Sequence, residues 1–191
     1  MEQIQGVVSI AGERQVLPEE KCRLFGAARG QGTKEQPAKG MENGVSLQFA
    51  AQSRNESFAR MVAAAYAAQL NPTLEELADI KTAVSEAVTN AVIHGYGEGD
   101  GTICMRLGLS GHEVWIEVEE WGACIADVLS AMEPMYTTRA DMERSGMGFA
   151  FMEAFMDELE VYSQKNCGTL VCMKKKISQE DMGTRRACDG Q

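Results

Sequence analysis

Between Pro72 and Gly95 nothing in the chain stops a helix. Thr73 and Glu76 form a capping-box pair at its start: the threonine hydroxyl takes the backbone N–H three residues on, and the glutamate takes the threonine's own. Leu74 to about His94 is therefore expected as one long helix, ended by the glycine-rich turn Gly95 to Gly101. Val84, Ala87, Val88 and Ala91 fall mostly on one face and suit packing on a sheet, while Glu86, Asn90 and His94 stack four apart on another. A carboxylate one turn from a carboxamide suits a place where a hydroxyl loses its proton beside a hard cation, with the glutamate as base and the asparagine oxygen as ligand. The same spacing is also that of an ordinary amphipathic helix with a polar outer face.

The other elements follow from period and punctuation. Val45–Phe49 alternates as a strand, and Ser53 with Glu56 can cap a helix running through Phe58, Met61 and Tyr66 to about Leu70. Thr102–Leu109 and Glu113–Glu119 alternate around Ser110-Gly111-His112, a hairpin signal. Ile125–Met132 is expected as a short helix, Pro134–Gly146 as a mobile loop and Met147–Glu158 as a helix. Leu159–Ser163 and Thr169–Lys175 are expected as strands joined by Asn166-Cys167-Gly168. The order is that of an α/β chain built as an α+β two-layer sandwich, one mixed sheet with helices on one face. Residues 1–40 stand apart. Val7–Ile10 reads as a short strand, but Gly26–Gly40 has no apolar period and is expected to be disordered. The segment is either an N-terminal extension upstream of a true start at Met41 or a regulatory tail. Residues 178–191 form a polar tail.

Composition narrows the function. The 191 residues suffice for one domain, and the net charge of −10 lies in the body rather than in the first forty residues. An acidic body argues against direct nucleic-acid binding and suits a partner with basic surfaces. Six cysteines lack any C-x-x-C pair, and the two histidines do not stand at zinc-site spacing. Reduced thiols, no membrane-length apolar run and no signal-peptide pattern point to a cytoplasmic protein.

Three later segments add chemistry to the long helix. Glu120-Trp121-Gly122-Ala123-Cys124-Ile125-Ala126-Asp127 follows a strand, Thr137-Thr138-Arg139 comes next, and Glu143-Arg144-Ser145-Gly146-Met147-Gly148-Phe149 opens a helix. Gly146 and Gly148 flank Met147 where backbone N–H groups can approach phosphates and a helix N-terminus favours anions. In this order and spacing the segments resemble the N, G1 and G2 boxes of the GHKL ATPase superfamily, which has the Bergerat fold. Asn55–Arg60, Ser85–Tyr96 and Glu143–Phe149 further resemble the anti-sigma F factor family of endospore-forming bacteria, whose members are serine kinases. The resemblance covers about Met41 to Ile177.

The resemblance implies the roles. Glu86 is the catalytic base, and Asn90 holds Mg²⁺ on the triphosphate of ATP. Gly122 is the first G1 glycine, Thr137 and Thr138 lie beside the phosphates, Arg144 with Arg139 forms a lid, and Gly146, Met147 and Gly148 cradle phosphate. Thr169 helps to hold the adenine region. Arg60 belongs to the face that meets protein partners, namely a sporulation sigma factor and an anti-anti-sigma factor that is the phosphorylation substrate. Family members are homodimers that bind ATP or ADP. His94 is expected to act as a helix-terminal cation rather than as a ligand.

The G1 box departs twice. Glu120 stands where the family has the adenine-reading Asp, and Cys124 where it has the second glycine. The longer side chain is expected to reach the adenine amino group only by shifting the ring or bending, and the Cβ of Cys124 to strain the backbone if that position needs positive φ. Nucleotide binding weaker than in relatives is the consequence. Two rivals to the kinase follow: a binding module of the same fold with little catalysis, and a histidine-kinase ATPase fragment. The last would need a phospho-accepting histidine on a helical hairpin, and neither His94 nor His112 has that setting.

Overall fold

The computed structural model describes residues 7–9, 42–97, 99–133 and 147–178. In chain order these are β1 (Val7–Ser9), β2 (Glu42–Ala50), α1 (Arg54–Ala67), α2 (Leu74–Asn90), β3 (Thr102–Ser110), β4 (Glu113–Glu120), α3 (Val128–Met132), α4 (Gly148–Phe155), β5 (Glu158–Gln164) and β6 (Gly168–Lys176). A single 3₁₀ turn, Ala68–Leu70, closes α1, and a π turn, Ala91–Gly95, closes α2.

The capping box at Thr73 forms as expected, with Glu76 N–H on the threonine hydroxyl at 3.1 Å and Thr73 N–H on the Glu76 carboxylate at 2.7 Å. The box expected at Ser53 does not form, because Ser53 itself has helical dihedrals and makes no side-chain cap bond. Glu56 instead accepts from the Ser85 hydroxyl of α2 and lies 3.4 Å from Arg60 one turn along α1. Helix α4 ends at Phe155, short of the expected Glu158. There the sheet wins: Asp157 N–H bonds the Lys174 carbonyl at 2.9 Å, and Glu158 is already paired with Lys174.

The strands form one sheet in the order β1-β5-β6-β4-β3-β2. Every described pairing is antiparallel, which corrects the mixed sheet expected from sequence. The reason lies in the connections. Two helices, α1 and α2, return the chain so that β3 runs against β2. Strands β4 and β5 do run parallel, but the β5–β6 hairpin inserts β6 between them. The Val7–Ile10 strand appears as β1 on the β5 edge.

The two-layer arrangement is observed. Alternate residues Ile103, Met105 and Leu107 of β3, Val114, Ile116 and Val118 of β4, and Val171 and Met173 of β6 share one sheet face. Ile80, Val84 and Val88 of α2 and Met152 of α4 pack on that face, each fully buried large side chain contributing roughly 1.5–3 kcal/mol. On α1 the buried small residues Ala59, Ala63 and Ala67 lie four apart, which lets it approach α2 closely. The opposite sheet face is polar in part: Arg106 reaches both Glu117 and Glu119 at 2.7 Å.

Candidate functional site

Helix α2 brings Asn90, Ala91 and His94 to one wall of a cavity of about 280 Å³. The facing wall comes from Val118 and Glu120 of β4, Thr169 and Val171 of β6, the loop Ala123–Asp127 and the start of α4. The π turn closes with Tyr96 N–H on the Ala91 carbonyl at 3.2 Å, an insertion of the kind that recurs at functional sites. It leaves His94 both in the last turn, where a cation suits the helix dipole, and on the cavity wall.

Glu86 and Asn90 meet the start of α4. A Cβ added at Gly148 would lie 3.1 Å from Glu86 Oε2 and 3.1 Å from both terminal atoms of the Asn90 side chain. Bare backbone at 148 therefore leaves a cradle between a helix N-terminus and the carboxylate–carboxamide pair. Met147 is the residue that caps α4. Arg60 lies away from the cavity on α1, with 43% of its side chain exposed, consistent with its assignment to an outer face. Thr137, Thr138, Arg139, Arg144 and Gly146 lie outside the described residues.

Glu120 follows from the strand period. Residues 114, 116, 118 and 120 of β4 face the helices, so the polar end of that row points between sheet and α2. It stands opposite Thr169 of β6, which stands opposite Ser163 of β5. Only 3% of Glu120 is exposed. Burial pushes its carboxyl up from the ordinary 4.5 to about 7 and the neighbouring Glu119 adds to the rise, while hydrogen bonds from Gly122 and Thr169 pull the other way.

Glu120 is accommodated within its own loop. The longer side chain folds back and accepts from its own loop's Gly122 N–H, in space that Gly95 and Gly122 leave open. A Cβ at Gly95 would lie 2.8 Å from the Glu120 carboxyl carbon. Two glycines thus absorb the extra methylene. The strain expected at Cys124 is absent as well. Among the described residues the only non-glycine positions with positive φ are Asn43, Asn71 and Asn166.

Sequence reasoning missed the residues that hold this loop. Ser163, 1% exposed, accepts Ile125 N–H at 2.8 Å and lies 3.0 Å from the Thr169 hydroxyl. Tyr96 accepts Trp121 N–H at 2.9 Å and donates to the Thr102 carbonyl at 2.7 Å. Ala123 N–H bonds the Gly95 carbonyl at 2.7 Å. The available signal was the row Leu159, Val161, Ser163, in which a polar residue continues an apolar core face. Asp127, the last residue of the loop, caps α3 through the Ser130 N–H and hydroxyl at 3.2 and 2.8 Å.

Residues 49–175, from β2 to β6, match the family described as histidine kinase-like ATPase domain. The anti-sigma F factor of Thermoanaerobacter sp. (strain X514) is 55% identical over 138 residues, which is 72% of this chain and 96% of that protein. The anti-sigma F factor of Clostridium acetobutylicum is 51% identical over 138 residues, with the same shares covered, and that of Clostridium perfringens (strain SM101) 52% over 139 residues, 72% of this chain and 99% of that one. The chain belongs to the anti-sigma F factor family.

Membership in this family places the cavity in an ATPase domain and implies nucleotide binding. The half-exposed Cys124 on the cavity wall and the free thiols of Cys104, Cys167 and Cys172 form no disulfide. No helix among the described residues is long and apolar enough to cross a membrane.

Proposed function

We propose that the protein is an anti-sigma factor that, with ATP bound, sequesters a sporulation sigma factor, and that it is also a protein serine kinase that phosphorylates its anti-anti-sigma partner. The observation that carries this reading is the meeting of Glu86, Asn90 and the backbone of Gly148, the last two of which line the cavity. Phosphoryl transfer needs mainly positioning and charge neutralisation, and this meeting supplies both a base and an anion-favouring helix terminus.

Glu86 takes the proton of the partner's serine hydroxyl. Asn90 offers a hard oxygen beside the same cradle, and its chemistry fits Mg²⁺, which prefers few protein oxygens. Among the described residues no group of three or more His, Cys, Asp and Glu could hold a metal by itself, so the cation would share its sphere with phosphates and water. Bound there, Mg²⁺ would neutralise charge on the phosphates. Glu120 and Thr169 hold the adenine end, and Arg144 with Thr137 and Thr138 the phosphate end. Arg60, on α1, faces the protein partners, and the active unit is a homodimer. The acidic net charge of −10 fits a basic sigma factor better than nucleic acid. Residues 41–177 form the working domain, with 1–40 an extension and 178–191 a tail.

The rival of a catalytically weak binding module draws its support from the altered G1 loop, in which Glu120 is hydrogen-bonded to its own loop and Cys124 has no positive φ. The test is to incubate the protein with radiolabelled ATP, Mg²⁺ and the anti-anti-sigma protein and to look for phosphoserine. Label on the partner's serine is expected. Its absence, with nucleotide bound, would return the reading to a binding module.

A further inference from the structure

We propose that Glu120 reads the group at purine position 6 through its own protonation state: as a carboxylate it accepts from a 6-amino group, and as a neutral acid it donates to a 6-oxo group. The inference rests on the nucleotide reading of the cavity and extends it to base selectivity.

The geometry supports this in three steps. First, Glu120 is the one carboxyl that both lines the cavity and is buried among the described residues; Asp127, the other lining carboxylate, is exposed and engaged in capping α3. Second, the Glu120 carboxyl is held by the Gly122 N–H and by the backbone and hydroxyl of Thr169, so it does not rotate freely. Third, nothing described holds it permanently charged. No Lys or Arg among the described residues lines the cavity.

The groups around it are few. Glu119, its neighbour on β4, opposes ionisation. From β6 comes the hydroxyl of Thr169, which favours the carboxylate. From the turn after α2 comes the Tyr96 phenol, which burial, joined by Glu120 and Glu119, helps to keep protonated. His94 from the end of α2, and Cys124 and Asp127 from the loop, line the same cavity. Burial dominates this balance, and the carboxyl titrates at about 7.

The two purine classes present opposite chemistry. Adenine offers N–H donors at position 6, which the carboxylate accepts with either oxygen and the neutral acid only with its carbonyl oxygen. Hypoxanthine and guanine offer an oxygen there, which repels a carboxylate but accepts from the acid. A site that must hydrogen-bond its ligand rejects the mismatched one strongly, because the buried group is left unpaired.

The experiment is calorimetric titration of the full chain with ADP and, separately, with IDP, at fixed MgCl₂ and at pH 6 and pH 8. A carboxyl titrating at about 7 goes from about one-tenth to about nine-tenths ionised across that interval. IDP affinity is expected to fall about tenfold and ADP affinity to hold or rise by no more than that, so their ratio shifts at least about tenfold. The ratio is the readout because titration of the terminal phosphate acts on both ligands alike. In Glu120→Gln, which keeps shape but not titration, the ratio should stay constant with pH. A wild-type ratio that does not move while both ligands bind, or IDP that fails to bind at pH 6, overturns the proposal. If neither nucleotide binds at either pH, the nucleotide reading of the cavity falls, and this inference with it.

Discussion

Helix α2 and the loop Trp121–Asp127 face each other across one cavity and hold their site residues by opposite means. On α2 the site is a by-product of packing. Val84, Ala87 and Val88 are buried against the sheet, and that contact fixes the helix that carries Glu86 and Asn90. The loop has no such periodic support. Its position depends on single hydrogen bonds to Tyr96, Ser163, Gly95 and the Glu120 carboxylate, which come from three different places in the chain. A helix carries a site by repetition, and a loop carries it by contacts that each can be lost separately. Substitutions on the helix should therefore alter chemistry without altering stability, and those on the loop should alter both.

The largest effect is expected on the helix. Glu86→Gln should slow phosphotransfer by about 10²–10⁴-fold, the usual worth of a general base, with the melting temperature and ADP affinity near wild type. Asn90→Ala should instead reduce the Mg²⁺-dependent part of nucleotide binding. Partner phosphorylation at the normal rate by Glu86→Gln would remove the base assignment.

Next comes Glu120. Its carboxyl ionises at about 7 in the folded chain, against 4.5 for the free group. Between these values the folded chain keeps a proton that the unfolded chain has released, so stability falls as pH rises through that window and stays lowered above it. The loss is at most about 3 kcal/mol. The nucleotide-free protein should therefore melt lower at pH 8 than at pH 5, and Glu120→Gln should recover part of that difference. Parallel melting curves for the two proteins at both pH values would contradict the burial argument.

The same glycine-to-alanine change can be made on both sides. At Gly122 the new Cβ would sit 2.0 Å from the Gly95 carbonyl oxygen, a backbone atom that cannot swing aside. Gly122→Ala should cost about 1–3 kcal/mol, as overpacking does, and lower nucleotide affinity as well. At Gly148 the Cβ would meet only the ends of the Glu86 and Asn90 side chains at 3.1 Å, and these can give by a few tenths of an ångström. Gly148→Ala should leave the melting temperature nearly unchanged and reduce phosphotransfer. Equal melting-temperature losses for both would erase the distinction between helix and loop.

This distinction also explains what the sequence revealed. The long helix, its capping box and the Glu86–Asn90 pair were legible because an i, i+4 pattern is local. Strand assignments succeeded for the same reason. The all-antiparallel sheet was not legible, because insertion of β6 between β4 and β5 is a long-range choice that no strand's own pattern records. Nor was the fit of Glu120. The departure from Asp was visible as one residue, but its accommodation involves Gly95, twenty-five positions earlier in the chain. The capping box read at Ser53 failed because Glu56 found a better partner in Ser85, which is distant in sequence and adjacent in space.

The smallest effect, and the sharpest test of loop support, is expected at Ser163. Its hydroxyl joins the loop to the sheet, taking Ile125 N–H at 2.8 Å and standing 3.0 Å from the Thr169 hydroxyl, which in turn bonds Glu120. Ser163→Ala removes an acceptor without adding bulk, so the cost is that of one lost hydrogen bond, about 1 kcal/mol. The loop would keep its bonds to Tyr96 and Gly95 and would loosen rather than detach. ADP affinity should fall by a fewfold, with no change in the helix-side rate once nucleotide is saturating. A KM effect without a kcat effect would mark a positioning residue. Ser163→Thr keeps the hydroxyl and should restore most of the affinity; Ser163→Ala with wild-type melting temperature and wild-type ADP affinity would mean that the loop is held without the β5 strand, and the contrast between packed helix and tethered loop would lose its strongest link.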